Sequence, residues 1–242
     1  MLNYVIIGVV VVLVILLCFG LAIASFAGEN YFDMLRKTQT MRNSYGIATM
    51  DFVAQIIQNH FGGRLKLARC APNDDHYGSG IVALSSETMS SNSLASLATV
   101  AHELGHARQD AEGDTLKKHF ALRRTGRAVG FFFMPMVIAG IVLSLLYFFG
   151  VLQGLVFLYL GLGCSAVAVL IFMFSIILKY KEIKIEKEAS TFALDYLREY
   201  LLEPEVKLCR EFLDSARLTY WSVLFKTLLG WTFLTKKDRM FY

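Results

Sequence analysis

Charge is absent from residues 128–178, where no Asp, Glu, Lys or Arg occurs and Gln153 is the only amide. That absence excludes a solvated surface for the stretch. A helix needs about 20 apolar residues to cross a hydrocarbon core of about 30 Å. The run, broken near Gly150 and Gly154, therefore reads as two helices joined by a tight turn, a transmembrane hairpin. Lys and Arg are also absent from Met1-Leu2-Asn3, ahead of a first apolar run over residues 4–27. A secretory signal peptide has a basic start and an apolar stretch of about 7–15 residues. The run thus reads as an anchor, although Ser25-Phe26-Ala27 has the small-x-small form of a cleavage site. Cysteine is scarce and scattered, at Cys18, Cys70, Cys164 and Cys209, with no Cys-x-x-Cys pair. This excludes a disulfide framework and a thiolate zinc cluster and suits a reducing compartment. The net charge is only +4, its positive residues gather beside the apolar runs, and no aromatic-interleaved basic platform occurs. A lipid bilayer, and no nucleic acid, is the expected partner.

What is present agrees with these exclusions. Apolar residues make up 55% of the 242, and the mean hydropathy is +0.50, as expected of an integral membrane protein. Arg36, Lys37 and Arg42 follow the first run; Lys117, Lys118, Arg123, Arg124 and Arg127 precede the hairpin; and Lys179, Lys181, Lys184 and Lys187 follow it. The positive-inside rule then places both ends of the hairpin, and the segment before it, in the cytoplasm. The fold class expected is a mainly α membrane protein whose zincin-like helix is joined by a small β element, an N-terminal anchor and a transmembrane helical hairpin. Five segments follow: an anchor (1–28), a polar cytoplasmic-face domain (29–127), the hairpin (128–178), a charged helical segment (179–217) and a last apolar helix (218–242). In that last helix Ser222, Lys226 and Gly230 share one stripe, so it reads as lying in the membrane interface rather than spanning.

Within the polar domain, apolar residues at helical spacing over 45–61 stop at Gly62-Gly63, a C-cap signal. Short strands are predicted at 65–68 and 81–84 around a turn-rich stretch, 71–80. Strand 81–84 is expected to offer an edge to an extended peptide. A polar linker, 85–91, leads to a helix capped by Ser91, Asn92 or Ser93.

That helix carries His102-Glu103-Leu-Gly-His106. Residues four apart share a helix face, so both imidazoles can address one ion while Glu103 sits beside the ion's open position. A catalytic zinc takes three protein ligands and keeps a fourth position for water. The metzincin extension would need Gly at 109 and His at 112, where this chain has Gln109 and Glu112. His119, on the basic approach to the hairpin, reads as a surface residue. Two crossings between Arg127 and Lys179 return the chain to the side of the motif, where Glu186 and Glu188 open a helical segment. Two residues apart, they cannot share a helix face, so at most one can ligate.

These stretches resemble the bacterial membrane zinc metallopeptidases of the YugP type, within the gluzincin-like membrane proteases. The resemblance covers the N-terminal span, Asp75-His76-Tyr77, Val100-Ala-His-Glu-Leu-Gly-His-Ala-Arg-Gln109, the hairpin, the Glu186-x-x-Ala-Ser190 segment and Leu218-Thr-Tyr220. It departs from the family at Gly78-Ser79, which replace an acidic residue and a proline, and at Ser190, where related gluzincins have Asp. What it implies is a Zn2+ cofactor held by His102, His106 and Glu186, and a zinc-activated water that hydrolyses a peptide bond with Glu103 as general base. His76 or Tyr77 is the candidate donor to the developing oxyanion. Protein or peptide substrates are implied, membrane or misfolded proteins among them, in a bacterial plasma membrane with the active site facing the cytoplasm. The alternative is a non-catalytic membrane scaffold whose structural metal site is closed by four protein ligands.

Overall fold

The computed structural model describes residues 2–113 and 115–228, and it is 78% helical with one small sheet. In chain order the elements are α1 (Leu2–Thr40), α2 (Thr49–Phe61), β1 (Lys66–Arg69), β2 (His76–Gly78), β3 (Ile81–Leu84), α3 (Ser86–Ser90), α4 (Leu94–Glu112), α5 (Thr115–Phe131), α6 (Phe133–Phe148), α7 (Leu155–Arg198) and α8 (Glu203–Leu228). The chain divides into two compact units. Among the described residues, one comprises 2–26, 121–181 and 220–228; the other comprises 27–120 and 182–219. Residues 229–242, including the end of the expected interfacial helix, lie outside the described residues.

In the first unit, α6 and the first part of α7 form a helical hairpin around a turn in which Gly150 and Gly154 take positive φ. Among the described residues, Lys117–Phe148 and Leu155–Arg198 are helices long and apolar enough to cross a membrane by length and composition. The expected anchor lies on α1, where most side chains before Cys18 are outside the described residues. Pro135 lacks the N–H that would bond the Phe131 carbonyl, and the helix breaks at Phe132 between α5 and α6. Two small-residue pairs let α6 and α7 touch. A Cβ on Gly140 would overlap the Ser165 hydroxyl, and one on Gly161 would lie 2.6 Å from that of Ser144. Both pairs, Gly140/Ser144 and Gly161/Ser165, have the small-xxx-small spacing of close helix contacts in lipid.

The second unit has a conventional apolar core, to which α2 gives Phe52, Val53 and Ile56; β3 gives Val82 and Leu84; α4 gives Leu97, Ala98, Val100, Ala101 and Leu104; α7 gives Ala193, Tyr196 and Leu197; and α8 gives Val206, Cys209 and Phe212. Helix α2 stops at Gly62, whose φ of 58° is left-handed and whose N–H caps the Ile57 carbonyl. The sheet order is β1-β3-β2, with β1 parallel and β2 antiparallel to β3. Strand β3 is therefore central, with both edges paired, and the expectation that residues 81–84 receive a peptide by edge addition is overturned. Strand β2 falls inside the stretch read as turns. It exists because Ser79 and Gly80 both take positive φ (48° and 82°), the two-residue reversal that suits a hairpin. The linker 85–91 holds a short helix, α3, whose Thr88 N–H is capped by Ser85. Glu186 does not open a helix: α7 runs unbroken from Leu155 to Arg198, since no proline interrupts it.

Candidate metal centre

Helix α4 begins at Ser93, whose side chain accepts from the Ser96 N–H at 3.2 Å. The cap and the buried face from Leu94 to Ala107 fix the rotation of the helix, and with it the direction of His102 and His106. Their ring centroids are 4.7 Å apart. From α7 comes Glu186, 2% exposed. Its Oε2 lies 3.1 Å from Nε2 of His102 and 3.4 Å from Nε2 of His106. The candidate ligand atoms of the three residues all lie within 4.8 Å of one another. Zinc–ligand bonds of about 2.0–2.1 Å in a tetrahedron set ligand atoms roughly 3.3 Å apart. Two imidazoles and one carboxylate at these separations fit a zinc ion.

Gly105 makes this meeting possible. It lies between the two histidines, and a Cβ there would overlap the Ala189 carbonyl oxygen and sit 3.0 Å from its carbon. Backbone cannot yield as a side chain tip can, so α4 and α7 approach this closely only because position 105 has no side chain. Gly105→Ala is expected to cost about 1–3 kcal/mol of stability and to lower metal content with it. Gly126→Ala, on an open helix surface with nothing within 4 Å of the added carbon, should leave both unchanged or raise stability slightly. Thermal unfolding and metal analysis of the two variants in detergent check this, and equal behaviour would refute it.

Both rings are oriented from behind. Nδ1 of His106 is 2.9 Å from Oε1 of Gln109, whose amide in turn donates to the Ile185 carbonyl at 2.9 Å and to Glu188 Oε2 at 2.8 Å. Nδ1 of His102 is 3.3 Å from Oγ of Ser190, which donates to the Glu186 carbonyl at 2.9 Å. With each Nδ1 engaged from behind, each Nε2 points at Glu186 and is the atom a metal ion would take. Ser190, the position at which the resemblance would place Asp, meets the His102 imidazole. Gln109 and Glu188 entered the sequence reading only as an excluded metzincin glycine and a rival ligand. The signal for Gln109 is its spacing, three residues after His106 on the same helix face.

Electrostatics mark the same place. Burial pulls the His106 imidazole down, but Glu186 and then Glu103 and Gln109 outweigh it and carry its pKa up to about 9. At neutral pH the metal-free ring therefore carries a proton that a bound cation would displace. Burial also pushes the Glu103 carboxyl above its ordinary range.

Glu103 is gripped by β2. The Tyr77 N–H donates to its Oε2 at 2.7 Å. The Tyr77 hydroxyl donates to Asp110 Oδ2 at 2.8 Å and accepts from the Gly80 N–H at 3.0 Å. Burial and that carboxylate push the phenol up to about 12, so it keeps its proton. Asp75 ties the loop down, accepting from the Ser85 N–H and, at 2.6 Å, from the Thr88 hydroxyl. The His76 ring is exposed and its Nδ1 is 2.6 Å from the Asp74 carbonyl. From Asp75-His76-Tyr77, then, it is the Tyr77 backbone that touches the motif.

His119 corrects the sequence reading. It is 4% exposed rather than on the surface, stacked on His106 at a centroid distance of 5.7 Å, with Nε2 3.0 Å from Glu186 Oε1. The surrounding Lys and Arg residues make the stretch look solvated, but a helix with charges on one side still turns another side inward.

A family model described as "Putative neutral zinc metallopeptidase" matches residues 9–234. No curated protein and no solved structure matches the chain.

Proposed function

The chain belongs to this neutral zinc metallopeptidase family, and from that premise we propose that it is a membrane-anchored endopeptidase whose metal is held by His102, His106 and Glu186. Zinc is the cofactor the family implies, and proteins or peptides are its substrate class. The observation that carries the reading is the convergence of two imidazoles and a buried carboxylate within 4.8 Å.

When bound, zinc supplies Lewis acidity, which acidifies water and polarises a carbonyl. The chain's own residues do the rest. Glu103 takes a proton from the attacking water and hands it to the leaving amine. The Tyr77 N–H holds the Glu103 carboxylate in one orientation, so the base does not have to be ordered at the moment of reaction. Gln109 and Ser190 keep the two histidines in the tautomer that ligates. His76 stands in the exposed lip beside this loop, in reach of a substrate approaching β2.

The uncharged stretch 128–178 and its basic flanks support an integral protein of a bacterial plasma membrane, with the site on the cytoplasmic side. The reading is tested on the full chain in detergent with an unfolded protein substrate. Chelation should abolish cleavage, and added Zn2+ should restore it. Cleavage that persists after the metal has been removed would sink the assignment.

A further inference from the structure

Glu186 turns only one of its two carboxylate oxygens to His102 and His106. Its Oε1 faces the other way, 3.0 Å from Nε2 of His119. The same nitrogen lies 3.6 Å from Oε1 of Glu182. Glu182 and Glu186 are one turn apart on α7, so both carboxylates leave the helix on one face. All three residues are buried, with His119 4%, Glu182 3% and Glu186 2% exposed.

The nitrogen of His119 that faces these oxygens makes no aligned hydrogen bond to either, although both stand at ion-pair distance. Oε1 of Glu182, at 3.6 Å, is beyond hydrogen-bonding distance, and Oε1 of Glu186, near enough at 3.0 Å, lies off the line that a ring N–H needs to donate. A buried polar atom in this condition calls for an explanation, a bound ion among them. Ligands around a common cation behave in this way: each points at the ion rather than at its neighbour, and their atoms stand roughly 3.3 Å apart in a tetrahedral zinc site. The separations of 3.0 and 3.6 Å bracket that value. Carboxylate oxygen and imidazole nitrogen together suit zinc, manganese or cobalt.

We propose that His119, Glu182 and Oε1 of Glu186 form a second divalent-cation site, which Glu186 bridges to the His102–His106 site. It rests on the reading of Glu186 as a ligand of the first site. Two ions sharing a carboxylate would stand about 3.5–4 Å apart, the separation at which paired metals clamp one substrate group.

The test is a metal count on the full chain in detergent, stripped with chelator and reloaded with Zn2+ alone. Wild type should hold two ions per chain; His119→Ala and Glu182→Gln should each hold one; His102→Ala should hold one; and the His102→Ala, His119→Ala pair should hold none. Glu182→Gln keeps the shape of the side chain, so it carries the test should His119→Ala fail to fold, which circular dichroism reports. One ion in wild type, unchanged by His119→Ala or Glu182→Gln but lost with His102→Ala, overturns the second site and leaves the first intact. No ion in wild type overturns both.

Discussion

Glu103→Gln is expected to lower turnover by about 10²–10⁴-fold, the range that a positioned general base contributes, while metal content stays at the wild-type level. The substitution is selective because of what holds the side chain. The Tyr77 N–H donates to Oε2 of Glu103 at 2.7 Å, and a Gln carbonyl oxygen can accept that bond in the same place. Shape and anchoring survive; the ability to take a proton does not. Burial favours the uncharged form at this position and already pushes the Glu103 carboxyl upward, so a neutral amide is not penalised for desolvation. Loss of stability therefore does not explain a loss of rate, and a thermal unfolding curve matched to wild type separates the two. Single-turnover cleavage of an unfolded substrate, measured beside zinc content, gives the result. Undiminished turnover with metal bound would remove Glu103 from the base role and favour a structural metal.

The parts of this molecule legible in the sequence are those governed by local rules. The spacing of His102 and His106 needs only the helical period, the stop of α2 at Gly62 needs only a left-handed residue, and the turn between α6 and α7 needs only a break in an uncharged run. What was not legible depends on which faces meet. His119 sits among lysines and arginines in sequence, yet α5 turns it toward Glu186. The central position of β3 depends on β2, a three-residue strand created by a Ser79-Gly80 reversal too short to show as a periodic pattern. A glycine between the two histidines already reads as a place for close helix packing; which backbone comes that near, the Ala189 carbonyl, shows only in the fold. Gln109 and Ser190 are ordinary polar residues until the imidazoles they orient are placed.

Glu186→Ala is expected to lower metal content sharply, whereas Glu188→Ala should retain it at saturating Zn2+. The two carboxylates are two residues apart on one helix, so their side chains leave it about 200° apart. Oε2 of Glu186 meets both Nε2 atoms of the motif. Oε2 of Glu188 meets the amide of Gln109 at 2.8 Å, one step removed from the ion. Losing an outer partner of this kind weakens metal binding by about 10–100-fold, a deficit that excess zinc masks. Losing a ligand leaves two imidazoles, which excess zinc does not complete. A titration of the stripped protein distinguishes these cases: Glu188→Ala shifts the midpoint and keeps the plateau, and Glu186→Ala lowers the plateau itself. The reverse pattern would transfer the ligand role to Glu188. It would also require α7 to rotate by about half a turn, against the contact of Ala189 with Gly105 that fixes its present rotation.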